Sequence, residues 1–477
     1  MSSMMRFSLK LAPVLAAFVV VLIAVIDPDG KLSPDSTGYL EIAHYNLTGF
    51  FHHGNPDHRY VPGGAWVTLW PPLYPALIAL VSKLAGLSVF VASKLLGVVF
   101  LLGSVAVVCR HFTTFGAVPA LVLVTYGNLK IWSHTWSEAP FIFLLVVLSV
   151  LLSRIMDYKA GSLNRLLAGV YLCLTAIFLT RYIGLFSLGS VGVVGLLTLL
   201  QGRWSVTLRL FITAILSALT SGAWLWLNYH LTGNLMGPDR IPAPEGHGEL
   251  LLALTGGLLD SSIPFVLFLP FLILWVLRGA PRGPVVQVPV GISGFLVVGL
   301  TYLAAIIYAR WTTQFDSFNV RLLSPGVNLL LIAFFASVCQ NWERGLQLAS
   351  RFLIGVVFLS LLVPSGRAAR DYTGASYFSK NLERRATYEQ IAPGSVVLFG
   401  SPHLKYLRPD VRVAGPLFKP YAPEDETWDA FIARVNGPFE FWMESSAQQW
   451  MSSLHFDESV RAVLQQHSGQ SLQPFRP

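Results

Sequence analysis

Charge is the scarcest feature of this 477-residue chain. Only 12% of its residues are Asp, Glu, Lys or Arg, against roughly 25% in ordinary soluble domains. Cysteine is nearly absent: Cys109, Cys173 and Cys339 each lie within or at the end of an apolar stretch, which excludes a disulfide framework. There is no Walker-type glycine loop to cradle a nucleotide's phosphates, no internal repeat and no low-complexity tract. Apolar residues fill the space instead: 54% of the chain is hydrophobic and the mean hydropathy is +0.59. A soluble or disordered protein is thereby excluded. Acids are thinnest in the apolar part. Residues 364–477 hold 12 basic and 12 acidic side chains, and residues 1–363 hold the other 21 basic and 13 acidic ones. The net charge of +8 therefore belongs wholly to the apolar part. A basic excess of that kind points to a membrane, not to nucleic acid.

A bilayer-spanning helix needs about 20 mostly apolar residues. Twelve apolar stretches are present, at 8–26, 73–90, 91–109, 115–131, 139–155, 165–182, 184–200, 207–230, 262–277, 286–308, 321–339 and 350–363. The first follows Arg6 and Lys10, and no small-residue cleavage site comes after it, so it reads as an uncleaved span. Arg6/Lys10, Arg110, Arg154/Lys159/Arg165, Arg203/Arg209, Arg278/Arg282 and Arg344/Arg351 all fall on the cytoplasmic side if one early segment does not cross. That segment is 73–90, which opens on Pro71-Pro72, contains Lys83 and stops short at Gly86. The expected architecture is an all-α polytopic membrane protein of about 11 spans, N-terminus cytoplasmic and C-terminus extracytoplasmic. Residues 1–363 form the membrane domain and carry an outer loop, 27–72. Residues 364–477 form a small extracytoplasmic α/β domain, with strands at 395–400 and 439–443 and helices at 426–435 and 446–454.

Ionisable groups beside apolar runs are costly and are functional candidates by default. Asp35, Glu138, Arg181, Arg310 and Arg321 all lie at the outer interface in this topology. Asp35 has a structural alternative as the cap of a helix over 36–45. Arg181 has one as a side chain snorkelling to headgroups. His52, His53, Asp57 and His58 have a spacing that allows a metal site, but a solvated loop is the better explanation. Trp66, Trp70, Tyr74, Trp132 and Trp136 read as an interfacial aromatic belt.

Five motifs in order carry a family resemblance: Pro34-Asp35-Ser36-x-x-Tyr39, Trp70-Pro71-Pro72-Leu73-Tyr74-Pro75, Ser137-Glu138-Ala139-Pro140, Thr180-Arg181-Tyr182 and Asn319-Val320-Arg321-Leu322-Leu323-Ser324-Pro325. Together they resemble the GT-C membrane glycosyltransferases of the protein-mannosyltransferase and aminoarabinose-transferase type, glycosyltransferase family 39 and its bacterial relatives. The resemblance covers roughly residues 8–340. It implies a polyprenyl-phosphate-linked sugar as donor and a glycan, lipid or protein as acceptor. Transfer is implied on the extracytoplasmic face of a bacterial inner membrane, with an essential acid that maps onto Asp35. Relatives that transfer aminoarabinose to lipid A carry a lysine before the double proline, where this chain has Trp70.

The chemistry asks for these residue types. An attacking hydroxyl must lose a proton, and a carboxylate can take it; Asp35 is placed there. A departing phosphate gathers negative charge, which the planar fork of arginine matches. Arg181 and Arg321 come first for that role, then Arg310, Lys31 and Arg59. Tyr39 and Tyr74 join as substrate-binding residues. Glu138 is open to three roles: holding a divalent metal, orienting an arginine or touching the acceptor. No metal ligand set is assigned. A secondary transporter or flippase is the competing class, but it would place polar groups deeper and tends to show repeats.

Overall fold

The computed structural model describes residues 3–54, 65–113, 115–158, 162–237, 246–260, 291–313, 318–341, 343–371, 376–398, 402–414, 443–444 and 474–475. The helices in chain order are α1 (Ser3–Ile26), α2 (Pro34–Thr48), α3 (Leu73–Ala85), α4 (Val89–Phe112), α5 (Ala117–Ala120), α6 (Tyr126–Ser133), α7 (Glu138–Met156), α8 (Leu163–Thr180), α9 (Phe186–Leu200) and α10 (Trp204–Thr232). They continue as α11 (His247–Asp260), α12 (Ser293–Thr312), α13 (Val320–Asn341), α14 (Glu343–Asp371), α15 (Tyr377–Tyr388) and α16 (Pro402–Leu407). Strand structure is sparse: β1 (His53–Gly54) pairs antiparallel with β2 (Ala65–Trp66), β3 (Val396–Leu398) parallel with β4 (Arg412–Ala414), and β5 (Met443–Glu444) parallel with β6 (Pro474–Phe475). Among the described residues, nine helices are long and apolar enough to cross a membrane, and the protein is a multi-pass membrane protein. The expected span at 262–277 and the expected tail helices at 426–435 and 446–454 lie outside the described residues.

The chain divides into two compact units. One comprises residues 1–24, 94–227 and 240–371; the other comprises 25–93, 228–239 and 372–477. The first unit is a helix bundle whose core is lined by Trp132, Phe141, Phe295 and Phe335, all fully buried. Helices α7 and α13 are its most buried spans. Helix α10 is its least buried and turns Leu208, Ile212, Ile215 and Leu219 outward. Such a face suits lipid, which replaces water as the surrounding solvent.

The apolar stretch 115–131 departs from the expected continuous span. It is α5, a 3₁₀ turn (Leu121–Val124) and α6, broken where Thr125 is extended (φ −78°, ψ 161°). A break inside a membrane bundle strands carbonyls unless side chains replace the lost bonds, and here they do. The carbonyl of Val122 accepts from Thr125 Oγ1 (3.0 Å) and Asn128 Nδ2 (2.8 Å), and that of Leu123 accepts from Trp132 Nε1 (2.8 Å). Asn128 and Asn328 exchange two hydrogen bonds of 3.0 and 2.8 Å and pin the break to α13.

Contacts at the helix ends give the bundle a polarity. His111 Nε2 donates to the Gly291 carbonyl (2.8 Å), the Gly291 amide donates to Asp157 Oδ2 (3.1 Å), and Arg203 donates to the carbonyls of Ile155, Met156 and Tyr158 at 2.8–3.1 Å. The ends of α4 and α7, the turn before α10 and the start of α12 therefore share one end of the bundle. Glu138 opens α7, which is 19 residues long, so it lies about 27 Å away at the opposite end. The broken segment consequently carries the chain from one end to the other without a single long helix.

In the second unit, α3 is 13 residues long, about 20 Å, and too short for a 30 Å hydrocarbon core. It ends at Gly86 in the left-handed conformation (φ 65°). The reading of 73–90 as a non-spanning segment agrees with that length. Helix α2 packs along α3. The approach is close because residue 38 is glycine: a Cβ there would come within 2.5 Å of the Trp70 ring. Tyr388, Ile391, Val397, Leu404 and Val411 form a small apolar core in the tail.

Candidate active site

The first unit gathers three of the residues singled out in the sequence around one carboxylate. Glu138 is the first residue of α7, and Pro140 sits two residues on, where a helix needs no amide donor. Its side chain is 1% exposed. Arg181 is the residue that ends α8, with an extended backbone (φ −151°, ψ 130°) whose amide still donates to Ile177 O (3.0 Å). Arg321 is the second residue of α13. Arg181 Nη1 and Arg321 Nε both donate to the same oxygen, Glu138 Oε1. Arg181 Nη1 also donates to Ser137 Oγ (3.2 Å).

Electrostatics explains the arrangement. The amino end of α7 and two guanidinium groups all favour the Glu138 carboxylate. Arg181 gains from the carbonyl end of α8, whereas Arg321, at the amino end of α13, is held against its helix dipole by Glu138. The three side chains meet where the ends of α7, α8 and α13 come together. The guanidinium side chains keep 17% and 20% of their surface exposed, so a ligand can reach them. Aromatic rings fix their orientation: Arg321 Cζ lies 5.0 Å from the Trp136 ring centroid and Arg181 Cζ 5.9 Å from that of Phe141. Tyr302 Oη donates to Leu322 O (2.7 Å) and fastens the residue beside Arg321. The second carboxylate oxygen, Glu138 Oε2, is buried and makes no hydrogen bond among the described residues.

Asp35 lies in the second unit. It is half-buried in the first turn of α2. Capping does not account for it: the cap is Ser33, whose Oγ accepts from the Ser36 amide (3.4 Å), with Pro34 at the first helical position. Tyr39 and Tyr74 are 3% and 1% exposed, and their rings meet edge to face at 5.2 Å between α2 and α3. They are brought to the helix carrying Asp35, as packing.

Other candidates are dispersed. Arg310 Cζ sits 4.8 Å over the Phe318 ring, and no contact joins it to Glu138 among those described. Lys31 pairs with Asp27. Burial alone would raise the Asp27 pKa, but the hydrogen bond and charge of Lys31 outweigh it and hold the carboxyl below its usual value. His52 is fully buried with its ring 5.1 Å from Trp66, and burial pushes its pKa down to about 4. His53 Nδ1 donates to Phe51 O (2.7 Å). Asp57, His58 and Arg59 lie outside the described residues. Among the described residues no three His, Cys, Asp or Glu side chains come together as a metal set. The aromatic belt is corrected at Trp132, a fully buried core residue, and Trp136 serves Arg321.

Lys94 escaped the sequence reading. It is 6% exposed inside the apolar run of α4, and its ammonium donates to Ser133 O (2.9 Å) at the end of α6. A lone lysine in a membrane span was the available signal.

No family model matches the chain, and no curated protein does. Solved structures do. ArnT from Cupriavidus metallidurans bound to undecaprenyl phosphate superposes with a TM-score of 0.57 at 13% identity, covering 90% of this chain and 88% of that one. The same protein in the apo state gives 0.51 at 14%, covering 85% and 86%. The fold is that of the GT-C glycosyltransferases. The Glu138 cluster stands at the ends of three of its spanning helices.

Proposed function

We propose that this protein is an integral-membrane glycosyltransferase that moves a sugar from a polyprenyl phosphate to an acceptor hydroxyl on the extracytoplasmic face. The observation that carries this reading is the pair of guanidinium groups, Arg181 and Arg321, held side by side on Glu138, set in a fold that in ArnT accommodates undecaprenyl phosphate. Glu138 holds the guanidinium groups aligned before a phosphate arrives. A phosphate then meets preorganised donors and pays no cost of gathering them. In the transfer, the acceptor oxygen bonds to the sugar's anomeric carbon as the bond to the phosphate oxygen breaks. The family resemblance assigns the proton to Asp35 as general base; separately, the arginines of the first unit suit the charge left on the polyprenyl phosphate.

Orientation follows the same reading. Arg110, Arg154 and Arg203 sit near the bundle end marked by Asp157 and Gly291, and this end is cytoplasmic by the charge rule. Glu138 is then extracytoplasmic. Residues 27–54 pack on residues 376–398 and 402–414 within the second unit, so loop and tail share one side of the membrane. Residues 364–477 are assigned there as the extracytoplasmic C-terminal region.

Binding tests the cluster. Purified protein in nanodiscs should bind polyprenyl phosphate, and Arg181→Gln/Arg321→Gln should bind it at least about tenfold more weakly, two charge-assisted contacts being lost. Equal binding by the double variant overturns the phosphate role. Export of a lipid-linked sugar without transfer would replace the enzyme with a flippase.

A further inference from the structure

The residue proposed as base stands four residues beyond a turn that the C-terminal region grips, on a helix that the same region also packs against. The turn is Asp27–Lys31. Asp27 Oδ1 accepts from the amides of Asp29 (3.0 Å) and Lys31 (3.2 Å), and Leu32 N donates to Asp29 O (3.1 Å). Gly30 has φ +61°, and a Cβ there would lie 2.5 Å from Tyr377 Cδ2 and 2.8 Å from Phe90 Cε2. Only glycine fits under those rings. Tyr377 stacks on Phe90 (centroids 3.8 Å, 16°), and its hydroxyl meets that of Tyr406 at 2.5 Å. Arg384 Nη2 donates to Asp29 Oδ1 (2.6 Å). Helix α16 packs along α2, and Tyr45 Oη donates to Pro409 O (3.5 Å).

Lys31 is followed only by Leu32, the cap Ser33 and Pro34 before Asp35. There is little slack between the gripped turn and the carboxylate. We infer that residues 376–398 and 402–414 form a clamp that positions Asp35, with Tyr377 and Arg384 as its positioning residues. This rests on Asp35 being the base of the proposed transfer. The two residues contribute unequally. Asp29 keeps 59% of its side chain exposed, so its ion pair is screened and weak alone. The buried Tyr377 ring, stacked and hydrogen-bonded, carries most of the grip. Position matters because a displacement near 1 Å at a reacting group can cost about 100-fold in rate.

The test uses the full-length protein in nanodiscs, with two readouts. Hydrogen exchange of amides 29–37 reports the turn directly and needs no activity. Transfer kinetics report its use. Tyr377→Ala should speed exchange there and lower kcat about tenfold while leaving donor KM unchanged. Tyr377→Phe, which keeps the stack, should stay near wild type. For Arg384→Ala, a smaller loss of the same kind is expected, restored by the charge swap Asp29→Arg/Arg384→Asp. In an Asp35→Asn background the residual rate should be indifferent to Tyr377→Ala. Unchanged exchange at 29–37 overturns the clamp. Faster exchange with unchanged kcat, or an equal loss in the Asp35→Asn background, reduces it to a passive contact. An Asp35→Asn protein at full rate overturns the base assignment and the positioning role with it. Exchange still decides, in that case, whether the tail holds the turn.

Discussion

Arg181 and Arg321, from the end of one spanning helix and the start of another, share a single oxygen of Glu138. One carboxylate thus joins the ends of three helices, α7, α8 and α13, and serves both guanidinium groups as a shared counter-ion.

Glu138→Gln should leave two guanidinium groups facing each other in a poorly solvated place. Removing one partner of a buried ion pair costs about 3–5 kcal/mol. Thermal unfolding in detergent should show a clear drop in Tm, and lipid-phosphate binding should weaken because the arginines splay. A Tm equal to wild type would mean that the arginines pair elsewhere.

Arg321→Lys should not behave as a conservative change. Lysine lacks the planar fork and stacks poorly on Trp136, which lies 5.0 Å from the Arg321 guanidinium. Weaker donor binding by about tenfold is expected, since two charge-assisted contacts become one. Isothermal titration with a short-chain polyprenyl phosphate measures it.

Stability should fall in mild acid through His52. Burial holds its folded pKa near 4, against 6.5 for an ordinary histidine. As pH drops from 6.5 to 4 the unfolded chain takes up a proton that the folded chain refuses, so stability declines across that window and levels off below it. The full span corresponds to about 3 kcal/mol. His403, also near 4 through burial and the charge of Arg384, adds to the same window. His52→Gln should flatten the Tm-against-pH slope between about pH 7 and 4.5, and an unaltered slope would contradict the assignment.

Asn128→Leu should destabilise the broken segment, because both ends of the buried Asn328 amide lose their Asn128 partner, whereas the Val122 carbonyl keeps Thr125 Oγ1. Each orphaned group costs about 1–3 kcal/mol. The double substitution Asn128→Leu/Asn328→Leu should cost less than the sum of the singles, and additive losses would show that the pair does not act as a unit.

Much of this was legible in the sequence, for physical reasons. Charged residues are costly beside apolar runs, so Glu138, Arg181 and Arg321 stand out by their positions in the chain alone. Their meeting on one oxygen does not, because it depends on the packing of α7, α8 and α13. The short reach of α3 is visible in Gly86 and the double proline. The break at Thr125 is hidden, since hydropathy counts apolar side chains and is blind to backbone bonds taken over by Thr125, Asn128 and Trp132. Asp35 is visible in the sequence but ambiguous as a cap. Ser33 resolves that by taking the cap.

The most direct measurement is sugar transfer from labelled polyprenyl-phosphate sugars in membranes holding equal amounts of wild type and Asp35→Asn. The substitution preserves shape and removes the base. Label reaching an acceptor with wild type, and falling by at least about 100-fold with Asp35→Asn, is the expected result. Transfer by Asp35→Asn at the wild-type rate would contradict the proposed mechanism.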